Sequence, residues 1–212
     1  MTKGLFITIE GGDGAGKSTQ MDNIQKYFEN LGYKCLRTRE PGGTPISEKL
    51  RDILLDPANK EMSATTEMMI YAASRAQHVA EVIRPAMESG EIVICDRYVD
   101  SSVAYQAFGR NLGEAVWDVN KYAIDGVMPD ITFWMDIDPE AGRKRIGNRE
   151  NSDLDRLEQE KLDFHYKVYE GYKSICSKEP DRVKRIDATR TIEEIKDEIF
   201  GHLDELCSRI HR

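Results

Sequence analysis

The 212-residue chain has no long hydrophobic run, no C-x-x-C pair, no basic excess, and no internal repeat or low-complexity tract. Each absence removes a class of protein. The apolar stretch near the N-terminus is only strand-length and follows a single lysine. That is too short for a signal sequence or a membrane span, so a soluble cytoplasmic protein with no membrane partner is expected. Cys35, Cys95, Cys176 and Cys207 lie far apart, which argues against a cysteine zinc site or redox couple and fits reduced cytosolic thiols. A formal net charge of −8 speaks against a surface that grips nucleic acid, so any gathered arginines have a local purpose.

A hydrophobic content of 40% is enough for one good core, and residues 1–212 read as a single domain with a small excursion. Short apolar runs at 5–9, 35–36, 91–96, 131–137 and 183–186 alternate with helical patterns at 17–31, 45–55, 67–87, 157–176 and 191–210, with further helical segments leading to Gly126 and another helix starting from Pro139. Pro85 is expected to bend the last turn of the third of these helices. Five strands separated by helices call for a parallel sheet covered on both faces, a doubly wound α/β fold.

Gly11-Gly12-Asp13-Gly14-Ala15-Gly16-Lys17-Ser18-Thr19 fits G-x-x-x-x-G-K-[ST] between the first strand and the first helix. Glycines let successive N–H groups turn inward onto an anion, and the helix N-terminus adds partial positive charge. Lys17 is expected at the terminal phosphates of a nucleoside triphosphate, with the Ser18 hydroxyl on Mg²⁺. The strand 91–96 ends in Asp96, the Walker B form, which holds Mg²⁺ or its water shell or orients the attacking group. Arg97 beside it offers a planar fork for a second phosphate. Tyr105 is suited to stacking or to forming a steric wall, and the Gln106 amide to reading a base edge.

Asp96-Arg97-Tyr98 followed by Ser101-Ser102 and Ala104-Tyr105-Gln106 resembles the signature of thymidylate kinases, which phosphorylate dTMP to dTDP with ATP. Arg39-Glu40-Pro41-Gly42-Gly43-Thr44 and Asp155-Arg156-Leu157-Glu158 are similar to two further motifs of that family. The resemblance implies a P-loop kinase fold with Mg²⁺ as cofactor, ATP as donor and a homodimeric assembly. It implies that Arg97 and Arg51 hold the dTMP phosphate, with Glu40 steering Mg²⁺ or an arginine. Tyr71 would stack on thymine, Arg75 and Gln106 would bond its edge with Ser102 alongside, and Tyr105 would crowd the sugar 2′ position. Asp13 would pair with the phosphate-binding arginine or accept from the sugar 3′-hydroxyl. Some family members carry an arginine next to that acid, whereas this chain has Gly14. The missing charge is therefore expected from a lid at about 143–155, from Arg149 or Arg145 ahead of Arg143.

Catalysis is thus expected from Lys17, Asp96, Arg97 and the lid arginines, by charge stabilisation and positioning. The helix around Met68, Met69 and Val79 is a candidate dimer surface, and the same residues suit the core as well. The nearest rival is a kinase of the same fold acting on dUMP or UMP. A rival of another class is a GTP-binding switch, which wants N-K-x-D; Asn120-Lys121-Tyr122-Ala123 has the first half and lacks the acid.

Overall fold

The computed structural model describes residues 4–147 and 154–210. β1 (Phe6–Glu10), β3 (Ile92–Asp96) and β4 (Ile131–Asp136) carry apolar residues on both faces and are buried along almost their whole length. Such strands need cover on both sides, which a parallel sheet with crossover helices provides. β2 (Cys35–Arg39) and β5 (Val183–Asp187) mix in polar residues and take the edges. The order is β2-β3-β1-β4-β5, with every neighbouring pair parallel. The order reverses beside β1, so the crevice of a doubly wound sheet opens at its carboxyl end, where Glu10 meets the glycine loop.

α1 (Lys17–Asn30) turns Met21, Ile24 and Phe28 inward, and α9 (Ile192–Ile210) adds Ile195, Ile199 and Leu203 to the same face of the sheet. Val79, Ile83 and Tyr98 meet Phe6 and Val93 on the other face. Burying each such aliphatic or aromatic side chain contributes roughly 1.5–3 kcal/mol. A third cluster, including Leu54, Tyr71, Tyr105, Trp134, Phe164 and Tyr172, lies apart from these two and underlies the site.

α2 (Pro45–Leu55) starts where expected: Pro45 sits at the first helical position and Thr44 caps it, accepting from the Ser47 N–H at 3.1 Å. α3 (Ala64–His78) runs through a widened π turn, Val79–Ile83, into α4 (Arg84–Glu88). The disturbance expected at Pro85 therefore falls one turn earlier. A proline ring collides with the carbonyl four residues back, and widening that preceding turn relieves the collision. α5 (Val99–Ser102) likewise passes into a π segment, Val103–Gly109, that carries Tyr105 and Gln106. α6 (Ala115–Ile124) and α7 (Pro139–Ile146) follow. The helix expected from Leu157 begins instead at α8 (Leu162–Lys178). Residues 155–160 form a turn because the Asp155 carboxylate accepts from the Leu157 and Glu158 N–H groups, both at 2.8 Å, and competes with helix there.

Candidate active site

The loop after β1 brings Lys17 to the start of α1, buried, with its Nζ donating to the carbonyls of Gly11 at 3.2 Å and Gly12 at 3.1 Å. Burial pulls the Lys17 ammonium down from its ordinary value, and nearby Arg97 adds to this. A second anion oxygen in the loop would therefore be a welcome partner. Ser18 and Thr19 stay exposed at the mouth.

Gly14 has a backbone reason to be glycine. Its φ is +76°, and a Cβ there would lie 2.2 Å from the carbonyl oxygen of Gly142 on α7, while a Cβ on Gly142 would meet the Asp13 carbonyl at 2.6 Å. The loop and α7 touch backbone to backbone, which leaves no room for the arginine some relatives of the resembled family carry at position 14.

Asp96 ends β3 with its Oδ1 buried and without a hydrogen-bond partner. An orphaned carboxylate oxygen beside a phosphate loop fits a cation held mainly by a ligand's own oxygens. No group of three or more metal-ligating side chains occurs among the described residues. Asp96 with Ser18 is thus the donor set that fits Mg²⁺ arriving with phosphates.

Arg97 adopts φ +66°, unusual for a side-chain-bearing residue, with its N–H held by the Ile9 carbonyl at 2.9 Å. That turn delivers its guanidinium to the Asp13 carboxylate at 3.0 Å and over the Tyr105 ring at 5.2 Å. Burial tends to raise Asp13, but Arg97 and Lys17 outweigh it and hold the carboxyl below its ordinary range. The carboxylate placed among phosphates therefore meets the cation it requires.

One cavity of about 420 Å³ includes in its walls Asp13, Lys17, Asp96 and Arg97 together with Glu40, Arg51, Tyr71, Arg75, Ser102, Tyr105 and Gln106. Arg75 is buried, with Nε on Glu40 at 2.8 Å, Nη1 on Ser102 at 2.9 Å and on Asn120, and Nη2 on the Tyr98 carbonyl at 3.0 Å. Four of its five N–H groups are engaged within the protein, and one on Nη2 remains for a ligand. Glu40 also accepts at the His78 ring, 3.0 Å away, so its two oxygens are shared between Arg75 and His78. Arg51 donates to the Pro41 carbonyl at 2.9 Å. Asn120 lies buried within α6 under Arg75, and this removes Asn120-Lys121 from any guanine-reading loop.

A neighbouring cavity of about 490 Å³ shares Asp13 and Tyr105 and is bounded by α7 and α8, with Arg143, His165 and Trp134 among its walls. Arg143 donates to the Glu158 carbonyl at 3.1 Å. Arg145 donates to the Ala188 carbonyl at 2.8 Å, at the end of β5. Arg149 lies outside the described residues.

Sequence reasoning passed over Glu10 and Tyr172. Glu10 is fully buried and accepts from the Tyr98 N–H at 2.7 Å, the Ser101 hydroxyl at 2.6 Å and the Tyr172 hydroxyl at 2.8 Å. Ser101 and Tyr172 each also lie 3.4 Å from Arg97 Nη1. Burial, then the charge of Asp100, pushes the Glu10 carboxyl up to about 7. A polar residue closing an otherwise apolar strand was the one available signal.

A phosphate cradle, a Walker B carboxylate and a second polar cavity meeting at the carboxyl ends of a parallel sheet define a P-loop kinase of nucleoside monophosphates. A family model described as thymidylate kinase matches residues 9–199. A thymidylate kinase of Clostridium novyi (strain NT) is 47% identical over 204 residues, 96% of this chain and 100% of that one. One of Lactobacillus helveticus (strain DPC 4571) is 48% identical over 210 residues, 98% and 99% of the two chains. The crystal structure of thymidylate kinase from Ehrlichia chaffeensis shares the fold with a TM-score of 0.77 and 31% identity, over 95% of this chain and 99% of that one. The chain belongs to the thymidylate kinase family, and its reaction is the phosphorylation of dTMP to dTDP with ATP as donor.

Proposed function

We propose that dTMP lies in the 420 Å³ cavity with its phosphate at Arg97 and Arg51, its base against Tyr71, and its edge on Gln106 and the spare N–H of Arg75, with Ser102 alongside. Tyr105 crowds the sugar 2′ position, and Asp13 holds Arg97 in place or accepts from the 3′-hydroxyl. ATP sets its phosphates in Gly11 to Thr19. The observation that carries this reading is that one cavity joins Lys17 and Asp96 of the cradle to Arg97, Tyr71 and Gln106.

The acceptor phosphate is already an anion, so transfer needs neutralisation and alignment more than a base. Lys17 exchanges its loop carbonyls for phosphate oxygens, and Arg97 moves its charge from Asp13 alone to the acceptor. Ser18 and Asp96 would hold Mg²⁺, which would supply further charge neutralisation there. The same proposal takes the chain as one domain with a short lid at about 143–155. Arg149 or Arg145 then adds charge over the transferred group; Arg145 would first leave the Ala188 carbonyl.

The enzyme is taken as cytoplasmic and homodimeric. No helix among the described residues is long and apolar enough to cross a membrane, and the four cysteines are free thiols. Of the two readings open for Met68 and Val79, burial favours the core. Met69 is exposed, together with Ile46 and Ile53 on α2 and Trp117 and Tyr122 on α6, the helices that α3 packs between. Sedimentation at the mass of a single chain, 24.2 kDa, would remove the dimer.

The acceptor assignment is checked by offering ATP and Mg²⁺ with dTMP, dUMP, UMP and dCMP in parallel. We expect dTMP to be consumed with the highest kcat/KM by roughly 10²-fold or more over UMP. A higher value for UMP or dUMP would reassign the cavity.

A further inference from the structure

We propose that Glu67 is a positioning residue that fixes the polarity of the Gln106 amide, turning its oxygen toward the base and so selecting a pyrimidine that carries an N3–H. The inference rests on the reading of Gln106 as the residue at the base edge, and goes beyond it by naming what sets that residue's orientation.

Glu67 lies in the first turn of α3 and is wholly buried. It accepts the Gln106 Nε2–H at 3.0 Å, the Arg110 Nε–H at 3.1 Å and the Arg110 Nη2–H at 2.9 Å, and Arg156 Nη2 lies 2.7 Å away. Burial alone would raise its carboxyl, but the bonds from Arg110 and Gln106 outweigh this and hold it below the ordinary range. An ionised carboxylate only accepts, so the amide must present its NH₂ to Glu67 and its oxygen elsewhere. Thymine and uracil offer an N3–H donor to an amide oxygen. Cytosine offers a lone pair at N3 and would face the oxygen acceptor to acceptor.

Glu67 is itself immobilised. Arg156 donates from Nε to the Leu54 carbonyl at 2.8 Å, which ties the carboxylate to the end of α2. Arg110 reaches Glu160 at 2.5 Å and lies 4.6 Å over the Phe164 ring. Tyr71 follows Glu67 by four residues on α3, so the residue orienting the amide and the wall of the cavity share one helix face.

The test measures kcat/KM for dTMP and dCMP in the wild type, Glu67→Gln, Gln106→Ala and Arg110→Ala. Glu67→Gln can present either end of its new amide to Gln106. It should lower the dTMP-over-dCMP preference by roughly tenfold or more, chiefly through KM for dTMP. Arg110→Ala takes from Glu67 the donor that does most to keep it ionised, so it should lower the preference in the same direction but to a smaller extent, since Arg156 stays beside the carboxylate. A Glu67→Gln enzyme with wild-type preference overturns the proposal. An unchanged dTMP KM in Gln106→Ala overturns the underlying placement of Gln106. A raised KM there beside an unaltered Glu67→Gln overturns the role of Glu67 alone. If Glu67→Gln fails to fold, the wild-type dTMP complex labelled with ¹⁵N-glutamine decides. One Gln106 side-chain proton should exchange slowly, and rapid exchange of both overturns the proposal.

Discussion

The cradle from Gly11 to Thr19 and the acceptor cavity differ in what they are made of. The cradle is continuous backbone at the end of one strand, and its one cation, Lys17, waits on the loop's own carbonyls. The cavity is assembled from side chains of β2, α2, α3, β3 and the π segment after α5, and two of its cations are already paired with acids, Arg75 with the buried Glu40 and Arg97 with the partly exposed Asp13. A backbone site can lose its key side chain and keep its fold. A site built on a buried pair such as Arg75 and Glu40 cannot, because removing the cation leaves the carboxylate with an uncompensated desolvation cost.

Lys17→Met is the largest expected effect and tests the first half of that contrast. The loss in kcat should be about 10³-fold or more, the range found when a preorganised charge at a transferred phosphoryl is deleted. The thermal midpoint should hardly move, since methionine fills the same slot and the two carbonyls released can take water. A large drop in stability would place Lys17 in the framework instead of the chemistry.

Arg75→Ala tests the second half. It strands Glu40, which is buried and keeps only His78, and leaves Ser102 and the Asn120 oxygen without their donor. Breaking such a buried pair costs about 3–5 kcal/mol. Denaturant unfolding should show that loss, and steady-state kinetics should show KM for dTMP rising far more than KM for ATP. A variant as stable as the wild type, or one weakened equally for both nucleotides, would erase the distinction between the two regions.

The same contrast explains what could be read from the residues in order. The strand alternation, the cradle, Asp96 and Arg97 are local in sequence, and each occupies the place its spacing predicts. The features that escaped depend on contacts across the chain. Gly14 read as a missing arginine, yet the carbonyl of Gly142 leaves no space for a side chain there. Leu157 read as helical by its apolar neighbours, whereas Asp155, Arg156 and Glu158 spend their hydrogen bonds on a turn anchored to Leu55 and Glu67. The family resemblance implied Arg75 as a base contact, with no sign that most of its donors serve Glu40, Ser102 and Asn120. Buried acids such as Glu10 and Glu67 give little signal in a chain where 38 residues are Asp or Glu.

Glu10 joins the two regions and carries the smallest of the expected effects. It ends β1 immediately before the cradle and accepts from Tyr98, Ser101 and Tyr172, two of which also bear on Arg97. Its carboxyl is raised from 4.5 to about 7, by burial first and then by Asp100, against the pull of Ser101, Arg97 and Tyr172. Below pH 4.5 the folded and unfolded chains both hold this proton. Between pH 4.5 and 7 the unfolded chain releases it while the folded chain retains it, so the contribution of Glu10 to stability falls as pH rises through that window and is level above it. The span corresponds to about 3 kcal/mol. Glu10→Gln cannot titrate, so unfolding measured from pH 4.5 to 8 should show the variant gaining on the wild type up to pH 7 and then running parallel to it. Taking the difference cancels Asp13 and Glu67, whose lowered carboxyls have the opposite slope at lower pH. A difference that stays constant across the range would mean that Glu10 is ionised throughout. The joint between cradle and cavity would then be a fixed charge supporting Arg97, and the two regions would be coupled electrostatically instead of through a neutral hydrogen-bonded carboxyl.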